Sequence, residues 1–90
     1  MKIIVKKNIS RNQLQELGVN EWPVWTKNVS EFPWTYDEEE KCYILEGCVE
    51  VTTDEGEKVM INEGDFVTFP KGLSCKWKIT KNIKKHYCFT

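Results

Sequence analysis

The sequence has no excess of charge of either sign and no long apolar run. Its 90 residues carry 13 Lys and Arg against 14 Asp and Glu, for a formal net charge of −1. Nucleic-acid binders usually have an excess of basic side chains, so this balance argues against that class of partner. No apolar stretch approaches the roughly 20 residues of a membrane-spanning helix, and the segment Met1–Lys7 is too short in apolar residues for a signal peptide. We therefore expect a cytoplasmic protein with no nucleic-acid or membrane partner.

Histidine is scarce, and the cysteines lack the spacing of metal or redox motifs. The chain has 1 His, His86, and 4 Cys. No two cysteines are separated by the two residues typical of zinc ribbons and dithiol redox sites. Without a secretory signal, reduced thiols are expected. We interpret Cys42, Cys48 and Cys88 as small apolar residues of strands.

Only one segment predicts a helix. Ser10 can cap it, and Gln13 completes a capping box, while Gly18 can end it in a left-handed conformation. A helix over Arg11–Leu17 has about two turns, too few to be stable without packing on other elements.

The rest of the chain predicts strands separated by turns. Apolar and polar residues alternate in short runs, as in half-buried strands. The predicted strands cover Trp25–Val29, Glu31–Tyr36, Lys41–Glu46, Cys48–Thr53, residues 58–62, Phe66–Phe69, residues 75–80 and His86–Phe89. Strands of this length at regular spacing are typical of an all-β sandwich or barrel, and a chain of 90 residues predicts one domain, residues 1–90.

Two segments carry a resemblance to a known superfamily. Glu40–Gly47 has a Glu and a Gly separated by six residues, and Gly64–Gly72 has Gly, Pro and Gly at fixed intervals. Together they resemble the two signature motifs of the cupins. The short helix and the segment Trp22–Trp25 resemble the small stand-alone cupins grouped with the ethanolamine-utilisation Q protein and ureidoglycine aminohydrolase. The resemblance implies a single small cupin-type β-barrel, or jelly roll, with one N-terminal helix.

The resemblance also shows where this sequence departs from metal-binding cupins. Their three His and one Glu ligands correspond here to Trp34, Tyr36, Cys75 and Glu40. An indole ring offers no ordinary metal ligand, and Glu40 with Cys75 alone gives too few ligands for a mononuclear centre. We therefore expect no metal or other cofactor, and a fold that forms without one.

The same positions predict a binding site. If the strand faces point into the barrel, Trp34, Tyr36, Glu40, Cys75 and Trp77 line its mouth. Aromatic walls with one carboxylate and one thiol suit a small planar or amine-bearing ligand. The alternative is that the rings only fill a small barrel, which needs bulky interior side chains.

Glu40 itself allows two interpretations. It ends the acidic run Asp37–Glu40, and such a run is usually solvated, but the motif places Glu40 inward. A lone inward carboxylate costs free energy to desolvate, so Glu40→Gln would then keep or raise stability while abolishing binding.

Three functions stay open. The first is binding of a small molecule without a tightly held metal. The second is an enzyme of the aminohydrolase or isomerase kind, with Glu40 as general acid or base and Cys75 or His86 assisting. The third is a structural component that acts as a homodimer, with the strand Lys2–Val5 adding to a neighbouring sheet. We expect the basic residues of the last third of the chain to form a solvated face: Lys76, Lys78, Lys81, Lys84 and Lys85.

Overall fold

The computed structural model describes the whole chain, Met1–Thr90, and it is built mainly of strands. One α-helix, α1, and one short 3₁₀ helix accompany seven strands, which confirms the predicted all-β class with a single short helix. The bounds are β1 Ile4–Lys6, α1 Arg11–Leu17, 3₁₀ helix Val19–Glu21, β2 Val24–Lys27, β3 Ser30–Thr35, β4 Glu40–Thr53, β5 Lys58–Asn62, β6 Phe66–Phe69 and β7 Ser74–Phe89. None of the helices is long and apolar enough to cross a membrane.

The helix α1 forms as its flanking residues predict. The Ser10 hydroxyl oxygen accepts a hydrogen bond from the Gln13 backbone N–H at 3.1 Å, and the Gln13 side chain accepts one from the Ser10 N–H. Gly18 ends the helix with a φ of 72°, a left-handed conformation that favours glycine.

The strands pair antiparallel in one seven-stranded sheet. The order is β1-β6-β4-β7-β2, and β3 pairs with β7 while β5 pairs with β4. The two long strands β4 and β7 therefore run through the middle of the fold and hold the shorter strands. β1 pairs with β6 of the same chain, so this N-terminal strand, expected to add to a neighbouring sheet, is part of the chain's own sheet.

The prediction of two strands on either side of Gly47 is wrong, because β4 continues through this residue. Gly47 has a φ of 105°, and a Cβ there would lie only 2.3 Å from the Asn82 carbonyl oxygen. Glycine thus lets β4 and β7 approach closely where their register shifts, between Ile44 and Val49. β7 likewise continues through Asn82 as one strand with irregular pairing, although the sequence predicts two separate strands in this part of the chain.

The core contains an unexpected lysine. Among the basic residues of β7, Lys85 is 5% exposed, whereas Lys76, Lys78, Lys81 and Lys84 are exposed. The prediction that Lys85 belongs to a solvated face is therefore wrong. It follows Trp77, Ile79 and Ile83 at even spacing on the strand and points to the same side as these buried residues.

Candidate functional site

A pocket of about 510 Å³ opens between β2, β3, β4 and β7, in the size range of small-molecule sites. Most of its lining is aromatic, and its charged groups are two lysines and one glutamate. The lining residues are Trp25, Lys27, Phe32, Pro33, Trp34, Tyr36, Glu40, Trp77, Lys85, Tyr87 and Phe89. Four residues predicted for the binding site, Trp34, Tyr36, Glu40 and Trp77, thus lie around one pocket.

Strand alternation explains why these side chains converge. Residues two apart on a strand point to the same face, and the lining follows this spacing: Trp25 and Lys27 on β2, Phe32 and Trp34 on β3, and Lys85, Tyr87 and Phe89 on β7. β2 and β3 both pair with β7, so their pocket-facing side chains meet those of β7.

A buried ion pair lies in the wall of the pocket. Lys85 Nζ donates a hydrogen bond to Glu40 Oε2 at 2.6 Å, and the two side chains are 6% and 4% exposed. The same ammonium lies 4.9 Å from the Trp25 ring centroid and 4.8 Å from that of Trp77. Two indole faces and a carboxylate therefore surround the charge of Lys85.

This pairing corrects both interpretations of Glu40. The residue is buried, so it does not join the solvated acidic run, and it is not a lone carboxylate either. Its atom Oε2 is engaged by Lys85. The hydrogen bond from Lys85 goes to Oε2 alone, and Glu40 lines the pocket, so Oε1 is the carboxylate oxygen left for a ligand there.

Tyr36 is held rigidly at the same wall. Its ring stacks on Phe69, with centroids 4.8 Å apart and planes 9° apart, and its hydroxyl oxygen accepts a hydrogen bond from Trp77 Nε1 at 3.2 Å. Burial raises the pKa of the Tyr36 hydroxyl far above its ordinary value, and the nearby Glu40 carboxylate adds to the rise. The hydroxyl is therefore a neutral group that can also donate a hydrogen bond.

Cys75 and His86, the other predicted catalytic residues, are not among the residues that line the pocket. Cys75 is buried in the core, and burial raises the pKa of its thiol to about 11. His86 is partly buried, and its Nδ1 lies 2.9 Å from the Trp22 carbonyl oxygen. The two residues lie towards opposite ends of β7 and, by alternation, on opposite faces. The structure thus does not bring them together as a catalytic pair.

The residues at the metal-ligand positions of cupins do not fit a metal ion. Trp34 offers an indole, the Tyr36 hydroxyl stays protonated, and Glu40 is already bound to Lys85. The thiol of Cys75 is also protonated at neutral pH, whereas metals bind the thiolate. No group of three or more His, Cys, Asp or Glu side chains is arranged to hold a metal.

Sequence reasoning missed Lys85 and much of the aromatic wall. Alternation from Ile83, two residues earlier on β7, would have placed Lys85 inward. The same rule would have joined Phe32 to Trp34. The missed lining residues are Trp25, Lys27, Phe32, Pro33, Lys85, Tyr87 and Phe89.

Comparison with known proteins places the chain in a family. A model of the EutQ-like cupin domain matches residues 14–87. A DUF861 family protein from Thermotoga maritima is 52% identical over 99% of this chain and 100% of its own, with a TM-score of 0.96. The search of curated proteins finds no significant match.

More distant structures share the fold alone. A putative ethanolamine utilization protein Q from Salmonella typhimurium is 20% identical, with a TM-score of 0.65 over 97% of this chain and 68% of its own. The EutQ protein of Clostridium difficile is also 20% identical, with a TM-score of 0.65 over 94% of this chain and 64% of its own. The match of the family model over residues 14–87 shows that the chain belongs to the EutQ-like cupin family.

Proposed function

We propose that this protein is a cytoplasmic cupin barrel that binds a small molecule in the aromatic pocket without a tightly held metal. The observation that carries the proposal is the buried Glu40–Lys85 pair in a wall of indole and phenyl rings. Aromatic surfaces bind a planar apolar body, and a few polar groups orient it. Glu40 Oε1 and the Tyr36 hydroxyl are the polar groups that can do so.

The open side of the pocket supports ligand binding rather than simple filling. Trp34 is 48% exposed although its ring lines the pocket. A large aromatic side chain that served only the core would be buried more completely. Trp34 packs edge-on against Tyr36, with centroids 6.4 Å apart, so a planar ligand can cover the exposed ring.

A thermal-shift screen of metabolites tests this proposal. A ligand that binds the folded state must raise the unfolding midpoint, and Trp34→Ala should reduce that rise. Met60→Ala is the matched control, because Met60 is 47% exposed and lies on β5, outside the pocket. A ligand whose effect is equal in both variants would not bind where we propose.

A second candidate is an enzyme that uses Glu40 as general acid or base. The observation that favours it is Glu40 in the pocket lining beside the Lys85 ammonium, because a carboxylate next to an ammonium is a pair of groups that can accept and return a proton. Lys85 takes the assisting role that was expected of Cys75 or His86. Once a ligand is known, Glu40→Gln should leave it bound but unconverted if this candidate is right.

The third possibility, a structural homodimer, needs no ligand. It would be favoured if the screen finds no ligand and the protein is dimeric by sedimentation. Because β1 pairs within the chain, deletion of residues 1–7 would also disturb the sheet. Sedimentation of the intact protein is therefore the cleaner measurement.

A further inference from the structure

We infer that the ligand of the proposed pocket is an anion, with its negative group bound at Lys27; this rests on the proposed function. The pocket is lined by Lys27, Lys85 and Glu40 as its charged residues. Lys85 and Glu40 neutralise each other at 2.6 Å. One uncompensated positive charge, that of Lys27, remains on the pocket lining.

Lys27 is held at the pocket without a carboxylate partner. Its Nζ lies 5.1 Å from the centroid of the Phe32 ring, and it takes part in none of the ion pairs of the chain. Lys78 and Lys81 also take part in no ion pair, but among the lysines without an ion pair only Lys27 lines the pocket. An anionic group of a ligand would supply the counter-charge that Lys27 lacks.

A second observation comes from the surface next to the pocket. A shallow polar depression of about 380 Å³ is lined by Thr26, Lys27, Asn28 and Ser30. Lys27 thus belongs both to the aromatic pocket and to this polar surface. A ligand whose rings fill the pocket can extend a hydrated, charged group over Lys27, where side-chain hydroxyl and amide groups surround it.

The charge balance also changes the class of ligand expected from the sequence. The sequence predicts a small planar or amine-bearing ligand, because aromatic walls with one carboxylate and one thiol suit either kind. With Lys85 as its partner, Glu40 no longer attracts a cation over distance, although Oε1 can still accept a hydrogen bond. The structure therefore favours a planar molecule with a carboxylate or another small anionic group.

Three compounds with the same ring system test this inference by calorimetry. They are 2-naphthoate, the neutral 2-naphthamide and the cationic 2-naphthylmethylammonium. We expect 2-naphthoate to bind most tightly and the ammonium compound least tightly. The preference for 2-naphthoate over the amide should decrease with added salt, because salt screens exposed charges.

Lys27→Gln should lower the affinity for 2-naphthoate by about two- to fivefold, which is the range expected for an exposed ion pair. The affinity for 2-naphthamide should stay unchanged. Lys78→Gln is the matched control: it removes the same charge from an exposed lysine that is not part of the pocket lining. Its affinity for 2-naphthoate should equal that of the wild type. The unfolding midpoint of each variant checks that the fold is retained.

The outcomes separate this inference from the proposed function. If the three compounds bind equally, or the ammonium compound binds best, and Trp34→Ala weakens them, the pocket binds ligands but the inference is wrong. An unchanged affinity of Lys27→Gln for 2-naphthoate also overturns it. If 2-naphthoate does not bind at millimolar concentration the inference is wrong as well, whereas the proposed function is judged by the metabolite screen.

Discussion

Removing either partner of the Glu40–Lys85 ion pair should destabilise the protein strongly. The nitrogen and oxygen are 2.6 Å apart, and the side chains are only 6% and 4% exposed. Breaking such a pair leaves a buried charge without a partner and typically costs about 3–5 kcal/mol. We expect Lys85→Met and Glu40→Gln each to lower the free energy of unfolding by an amount in this range. That is a large part of the roughly 5–14 kcal/mol typical of a domain of this size.

The double variant Glu40→Gln with Lys85→Met should be more stable than either single variant. It removes both charges at once, so no buried charge is left without a partner, and replacing a buried ion pair by well-packed apolar groups of similar volume is often neutral or stabilising by about 1–4 kcal/mol. The interaction between the two sites therefore appears as strong non-additivity. From the sequence alone Glu40→Gln was expected to keep or raise stability, so the sign of this effect separates a paired carboxylate from a lone one.

Urea unfolding followed by far-ultraviolet circular dichroism measures these changes. Lys76→Met is the matched control, because Lys76 lies on the same strand and pairs with Glu31 at 3.6 Å with both side chains at least half exposed. An exposed pair contributes about 0–1 kcal/mol. If Lys85→Met is as mild as Lys76→Met, or if the single losses simply add in the double variant, the reasoning is refuted.

Three further predictions follow from the other buried groups. Tyr36→Phe should cost about 1–3 kcal/mol in urea unfolding, because Trp77 Nε1 loses its buried acceptor; an unchanged midpoint would contradict this role. Burial raises the thiol pKa to about 12 for Cys42 and about 11 for Cys75. Their thiolates form more easily in the unfolded chain than in the folded one. The free energy of unfolding should therefore be unaffected by these thiols below pH 9 and should fall as pH rises through 11 and 12. A pH series of thermal midpoints that stays flat between 9 and 12 would argue against it. Finally, treatment with a chelator should leave the thermal midpoint unchanged, and stoichiometric metal retained after dialysis would show that the donor set was misjudged.

The local elements could be predicted because their signals lie within a few residues. The capping residues Ser10 and Gln13 and the left-handed Gly18 set the bounds of α1 directly. The helix is therefore found where the sequence places it. The continuity of β4 and β7 could not be predicted in the same way. Gly47 alone predicts a turn. Its role in β4 depends on the close approach of the Asn82 backbone, and these two residues are far apart in the chain.

Part of the wall of the candidate site was predictable, but the pairing of its charges was not. Alternation and motif position placed Trp34 and Glu40 around one pocket. Lys85 was missed because lysine is rarely buried without a partner, and that partner is 45 residues away in sequence. Cys75 shares a face of β7 with Trp77, but only Trp77 lines the pocket. This difference depends on how β7 packs and not on the alternation of its side chains.

A small molecule that binds among the indole rings of the pocket should shift their indole N–H signals in a ¹⁵N NMR spectrum. The chain has 4 Trp, of which Trp25, Trp34 and Trp77 line the pocket, whereas Trp22 packs against Phe66 and serves as the internal control. Trp→Phe variants assign the four signals. Titration with a ligand from the thermal-shift screen should move the three pocket signals and leave that of Trp22 in place. A ligand that raises the unfolding midpoint but moves none of the three pocket signals would show that the binding site is not the aromatic pocket.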